Sequence, residues 1–175
     1  ETAPKSGVYY EKENYALSRR MEPGSTFKLM SLLALTEDCG LPITQEYNAH
    51  ESRKVQIGPK GPWIKDDHNI GAMIDMKTAT AQSSNVYFAR AIYENYNSDR
   101  ERYVSFLRDS LHLGEDIGFM DMGEKKPLIP DPKNRNQWSA STLPNMGYGY
   151  AIELPPIRMA VLYNAVANGG KTVAP

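Results

Sequence analysis

Pro23-Gly24-Ser25-Thr26-Phe27-Lys28-Leu29-Met30-Ser31-Leu32-Leu33-Ala34-Leu35 opens on two residues that break regular structure and continues as a mostly apolar run at helical spacing. Gly40 and Pro42 then stop it. With Phe27, Leu29, Met30, Leu32, Leu33 and Leu35 in the run, the reading is a buried helix. Ser25 and Lys28 stand three apart at its start, so their side chains project from one face, one turn apart.

Outward from this helix the remaining strong signals are also helical. A second pattern covers about 71–82. A third covers about 84–96, with Val86, Ala89, Tyr93 and Tyr96 on one face. A fourth begins at Ser98, where Glu101 completes a capping box ahead of Val104, Leu107 and Leu111. The last runs from Pro155-Pro156 to Asn168-Gly169-Gly170, with Met159, Leu162, Tyr163 and Val166 as its apolar stripe. Between 114 and 150, Gly and Pro are frequent and Gly123 to Arg135 is charged, which reads as a long structured loop. Strand signals are short and edge-like: Gly7 to Tyr10, Val55 to Ile57 and Trp63 to Lys65. Five helices with almost no sheet suit either a complete helical domain or the helical part of a mixed fold whose strands lie elsewhere.

The chain has 175 residues, 41% of them hydrophobic and 23% charged, which suits one ordinary globular domain. A net charge of −1 without long runs of one sign gives no support for a nucleic-acid or anionic-membrane surface. The longest apolar stretches, Leu29 to Leu35 and Met159 to Val166, fall far short of the roughly 18 to 20 residues that span a bilayer. The start, Glu1-Thr2-Ala3-Pro4-Lys5, has no initiator Met and no basic-then-apolar signal, so an excised piece of a longer protein is expected. One cysteine, Cys39, excludes an internal disulfide and reads as a small buried thiol.

A serine hydroxyl is a poor nucleophile at neutral pH, and a desolvated lysine amine beside it is one way to take its proton. A helix N-terminus would help by offering N–H groups to a developing oxyanion and by lowering the lysine pKa. The spacing alone is weak evidence: 12 serines and 11 lysines give about 0.75 chance occurrences. The competing reading is a capped helix with a surface lysine. Ser83-Ser84-Asn85 lies between the second and third helical patterns. There a hydroxyl can relay a proton and an amide can bind a substrate amide, or Ser83 or Ser84 simply caps the next helix. Histidines 50, 68 and 112 are scattered, and Asp66-Asp67-His68 reads as a solvated turn rather than a metal site. No Gly-x-Gly-x-x-Gly opens a helix, since Gly147-Tyr148-Gly149 lacks the third glycine.

Longer strings narrow these alternatives. Glu22-Pro23-Gly24-Ser25-Thr26-Phe27-Lys28 resembles the nucleophile motif of the penicillin-binding transpeptidases, and its leading Glu-Pro is most similar to the class B, septal cell-division branch. Ile64-Lys65-Asp66, Ala81-Gln82-Ser83-Ser84-Asn85-Val86, Gly147-Tyr148-Gly149 and Ala165 to Gly170 continue the similarity in the family's order, at about its spacing. The resemblance implies the α+β fold of penicillin-binding transpeptidases and serine β-lactamases. Residues 1–175 would be a partial transpeptidase domain, mainly α, with most of the central antiparallel sheet missing.

It further implies that Ser25 is the acylated nucleophile, Lys28 its general base, Ser83 a proton shuttle and Asn85 a ligand of the peptide stem. The Ser25 N–H would be half of an oxyanion hole. The implied activity is that of a serine D-Ala-D-Ala transpeptidase or carboxypeptidase acting on peptidoglycan stem peptides in cell wall synthesis and cell division, with β-lactams as mimics of the donor. No cofactor, metal or nucleic acid is called for. The expected location is the bacterial cell envelope, on the periplasmic face of the inner membrane, through an anchor outside these residues. Other cell-division proteins would bind through missing regions.

The family's third motif, Lys-Thr/Ser-Gly, has no match. Lys171-Thr172-Val173 lacks the glycine and follows directly on a helix stop. Without that strand, the second oxyanion donor is expected to be missing and the isolated piece to acylate slowly or not at all. A non-catalytic penicillin-binding-like sensor or scaffold domain is the alternative. A β-lactamase fits less well, because no Glu-x-x-Leu-Asn is present and Asn85 departs from the Ser-x-Val of class D.

Overall fold

The computed structural model describes residues 12–49, 54–119 and 122–173. The strand expected at Gly7 to Tyr10, and His50, lie outside the described residues. Helix α1 (Tyr15–Ser18) is a single turn capped by Asn14. The helix read from Ser25 onward is continuous but changes pitch. A 3₁₀ turn (Gly24–Phe27) leads into α2 (Lys28–Leu33), and a π segment (Ala34–Asp38) ends it. Phe27, Met30, Ala34 and Leu35 are fully buried. The wide last turn has an identifiable cause. Tyr96 donates its hydroxyl to Ala34 O at 3.0 Å and to Asp38 Oδ2 at 2.7 Å, while Cys39 N reaches back five residues to the same carbonyl. Cys39 is half-buried rather than buried.

Four strands of three residues follow: β1 (Glu46–Asn48), β2 (Lys54–Gln56), β3 (Trp63–Lys65) and β4 (Met73–Asp75). They form two antiparallel ribbons, β1 with β4 (Tyr47 opposite Ile74) and β2 with β3 (Val55 opposite Ile64). Val55, Ile64 and Ile74 point inward and are buried. The helix expected over 71–82 therefore begins later, as α3 (Met76–Ala81). Residues 73–75 are recruited by β1, and the Asp75 carboxylate caps α3 by accepting from Thr78 N at 2.7 Å.

Helix α4 (Asn85–Tyr96) is the centre of the molecule. Val86, Tyr87, Phe88, Ala89, Ala91, Ile92 and Tyr96 are all fully buried, so apolar side chains pack around nearly its whole circumference. Each of the larger ones contributes about 1.5–3 kcal/mol of burial. The next helix, α5 (Arg100–Ser105), is capped by Asp99 and not by Ser98. Asp99 N already bonds the end of α4 at Tyr96 O, so Ser98 lies within the connection, and the Asp99 carboxylate accepts from Arg102 N at 3.1 Å. A second π segment (Phe106–Ser110) continues α5.

The loop read over 114–150 is irregular for most of its length but contains one short helix, α6 (Thr142–Met146), which the frequent Gly and Pro residues conceal. Gly147 at its end lies against α4, where a Cβ would stand 2.7 Å from Phe88 O. The loop is fastened to the last helix, α7 (Pro156–Ala167), by a buried ion pair between Glu124 and Arg158. The apolar stripe of α7 is only partly covered: Leu162 is buried, whereas Tyr163 and Val166 are 43% and 40% exposed. No central five-stranded sheet occurs among the described residues, and none of their helices is long and apolar enough to cross a membrane.

Candidate active site

Ser25 lies in the 3₁₀ turn that leads into α2, and its side chain is exposed. Several contacts hold this turn from one side. Gly24 N donates to Gly149 O at 2.9 Å, Ala151 N donates to Glu22 Oε1 at 2.8 Å, and Tyr163 donates its hydroxyl to Thr26 O at 2.8 Å. Gly149 has φ +89°, and a Cβ there would lie 1.9 Å from Gly24 O. Only glycine permits that approach. The pair Gly147 and Gly149 thus serves two close backbone contacts, one on α4 and one on the turn bearing Ser25.

Lys28, one turn on, is 4% exposed. Its amine meets Ser25 Oγ at 3.1 Å, Ser83 Oγ at 2.9 Å, Ser83 O at 2.5 Å and Asn85 Oδ1 at 2.7 Å. Burial lowers its pKa to about 8, against an opposing pull from the Asp66 and Asp67 carboxylates. The dominant cause is desolvation, whereas the sequence reading offered the helix N-terminus. The contact set also constrains the protons. Ser83 O and Asn85 Oδ1 can only accept, so once the amine is neutral its two N–H groups go to them and its single lone pair is left to accept from one of the two hydroxyls. That is the arrangement a base needs for withdrawing a proton from a serine.

Ser83 and Asn85 are placed by a helix end and a helix start. Ser83 N donates to Thr80 O at 3.2 Å and Ser84 N donates to Ala79 O at 2.9 Å, the paired closure of a Schellman motif at the end of α3. Ser83 holds the left-handed position of that motif, at φ +54°, where glycine is usual. The strained turn directs its hydroxyl and its carbonyl onto Lys28. Ser84 caps α4, accepting from Tyr87 N at 3.0 Å and donating to Asp66 Oδ2 at 2.8 Å. Asn85 Nδ2 donates to Lys65 O at 3.2 Å, which leaves its second amide hydrogen for a ligand.

All four residues singled out in the sequence, Ser25, Lys28, Ser83 and Asn85, therefore meet at one amine. Ser84 is the capping serine, and Lys28 is buried rather than at the surface. Asp66 was read as part of a solvated turn, but it is buried and bonded to the start of α4. His68 Nε2 lies 3.0 Å from Gln82 Oε1. The role of Asp66 was not visible in the sequence, and the Ile64-Lys65-Asp66 string was its only signal. Beside Asn85 opens a cavity of about 330 Å³ whose lining includes Glu22, Trp63, Lys65, Asp67, Tyr148 and Tyr150.

The family model described as the penicillin binding protein transpeptidase domain matches residues 2–175. The chain belongs to the penicillin-binding protein transpeptidase family. It is similar to the penicillin-binding protein PbpB of Mycobacterium tuberculosis, with 31% identity over 163 residues, covering 93% of this chain and 22% of that protein. Among solved structures it is similar to penicillin-binding protein 3 of M. tuberculosis in complex with aztreonam, with a TM-score of 0.74 and 27% identity over 93% of this chain and 34% of that one. Penicillin-binding protein A of M. tuberculosis, an imipenem acyl-enzyme complex, shares the fold at a TM-score of 0.77 and 20% identity, over 93% of this chain and 36% of that one. The chain thus spans about a fifth of the curated relative's length and about a third of these solved chains. As a penicillin-binding transpeptidase chain it has the partial, helix-rich α+β architecture that the resemblance implied.

Proposed function

We propose that this chain carries the nucleophile side of a serine D,D-transpeptidase site that cross-links peptidoglycan stem peptides. Ser25 Oγ attacks the carbonyl of the penultimate D-Ala of a D-Ala-D-Ala end, and its proton passes to the neutral Lys28 amine. Ser83 relays a proton to the departing terminal D-Ala as the peptide bond breaks, leaving an ester on Ser25. An amine of a second strand then attacks that ester, forms the cross-linking amide and returns the proton to Ser25. Asn85 uses its remaining amide hydrogen on the peptide stem, and the Ser25 N–H supplies one donor to the oxyanion. A β-lactam enters the same path by opening its ring amide on Ser25.

The observation that carries this reading is the convergence of Ser25 Oγ, Ser83 Oγ and Asn85 Oδ1 on the single buried Lys28 amine, at 3.1, 2.9 and 2.7 Å. Similarity to PbpB and to a penicillin-binding protein solved with aztreonam supports the substrate class. On this reading the third motif and the rest of the sheet belong to the part of the domain outside these 175 residues. The protein works at cell division in the cell envelope, on the periplasmic face of the inner membrane.

The test is a cross-linking assay with the full-length protein and peptidoglycan precursor strands. Wild type forms dimeric stem peptides with release of D-Ala, and Ser25→Ala forms none. A well-folded wild type that binds stem peptides without releasing D-Ala indicates a sensor or scaffold instead.

A further inference from the structure

Asp66 brings a buried negative charge to a place where the mechanism above assigns it no task. It directly follows β3, is 6% exposed, and its carboxylate is satisfied by the start of α4. Oδ2 accepts the Ser84 hydroxyl at 2.8 Å, while Oδ1 accepts the backbone N–H of Asn85 and, at 3.1 Å, that of Val86. A carboxylate on the free N–H groups of a twelve-residue helix uses the positive end of that helix. Three donors also offset much of the cost of burying it.

These bonds bracket the Ser83-Ser84-Asn85 segment. Ser84, which Asp66 holds, directly follows Ser83, and the backbone of Asn85 is held by Asp66 itself. One residue earlier, Lys65 O accepts from Asn85 Nδ2 at 3.2 Å. The end of β3 thus fixes the back of the segment whose front presents Ser83 Oγ and Asn85 Oδ1 to Lys28. A serine at φ +54° persists only where its surroundings over-determine it.

We propose that Asp66 is a positioning residue of the acyl-transfer site: its carboxylate, bonded to Ser84 and to the backbone of Asn85 and Val86, fixes Ser83 and Asn85 against Lys28. This rests on the reading of Lys28 as the base. The charged groups bearing on that amine are the Asp66 and Asp67 carboxylates beyond β3, both acting to retain its proton. Glu22 and Lys65 line the adjoining cavity, and the amine's direct partners from the nucleophile turn and the start of α4 are the uncharged Ser25, Ser83 and Asn85.

The test is the second-order rate constant for acylation of the full-length protein by a fluorescent penicillin, measured across pH. This constant reports the free enzyme and rises with pH as Lys28 loses its proton, so wild type has an acid limb near pH 8. Asp66→Asn removes the charge. Its limb moves to lower pH, and its plateau falls roughly 10- to 100-fold through misplacement. Ser84→Ala removes one bond but no charge, so its plateau falls with the limb unmoved. If Asp66→Asn fails to fold by circular dichroism, Asp66→Glu keeps the charge and shifts the carboxylate, and the expected result is a limb near pH 8 with a reduced plateau. An unmoved limb in a folded Asp66→Asn, or a full plateau in Asp66→Glu, overturns the inference. A wild-type profile without an acid limb, or acylation undiminished in Lys28→Ala, overturns the assignment of the base instead.

Discussion

A serine held at φ +54° gives up about 1–2 kcal/mol against an ordinary backbone conformation. At Ser83 that strain delivers two of the four contacts on the Lys28 amine. Replacement by glycine relieves the strain and replacement by alanine retains it, while both remove the hydroxyl. The expected outcome is that Ser83→Gly melts higher than Ser83→Ala by an amount worth about 1 kcal/mol, with both acylating slowly. Equal melting temperatures would show that the turn is unstrained. Lys28 yields a second expectation at this scale. Its pKa of about 8 places the amine mostly in the charged form at neutral pH, so cross-linking activity rises from pH 7 to pH 9. A rate already flat at pH 7 contradicts that protonation state. The Ser25–Lys28 relation was legible in the sequence because residues three apart in a helix share a face. The contact from Lys28 to Ser83, 55 residues away, was not. No local periodicity encodes it, and only the motif resemblance indicated it.

Among the elements, the segment 147–151 and the cap of α4 do most to place the site. Gly149→Ala puts a Cβ 1.9 Å from Gly24 O at φ +89°, so the turn bearing Ser25 has to move. The expected result is loss of acylation together with a destabilisation of roughly 1–3 kcal/mol, read from acylation rates and a chemical melt. Gly40→Ala, also at positive φ but with open space around it, carries only the backbone strain and keeps acylation. Ser84→Ala removes the cap of α4 and costs about 1 kcal/mol or somewhat more, because Asp66 also loses a partner. The long helices were readable from their 3.6-residue period. The strands were not all readable, because three residues of alternation carry almost no signal; β1 and β4 went unseen, and Met73 to Asp75 was absorbed into a helix. Ser98 and Asp99 are both good caps, and only the closure of α4 on Asp99 N decides between them.

In the molecule as a whole, the long loop is bound to α7 by Arg158 and Glu124, whose side chains are 2% and 1% exposed. Glu124 also accepts from Phe119 N at 3.2 Å, so it closes its own loop. Removing one partner leaves a buried charge alone, and Arg158→Ala is expected to lose about 3–5 kcal/mol of stability without altering the pH dependence of acylation in the protein that remains folded. A loss below 1 kcal/mol in a urea melt would show that the pair is solvated. The pair was not legible in the sequence, since its members are 34 residues apart and neither stands in a motif. The central claim is that Ser25 is the nucleophile and Lys28 withdraws its proton. Peptide mapping by mass spectrometry of the full-length protein after incubation with a β-lactam tests it most directly. The account predicts one adduct, on Ser25, absent from Ser25→Ala and much slower to form in Lys28→Ala; an adduct on another residue, or one that persists in Ser25→Ala, would contradict it.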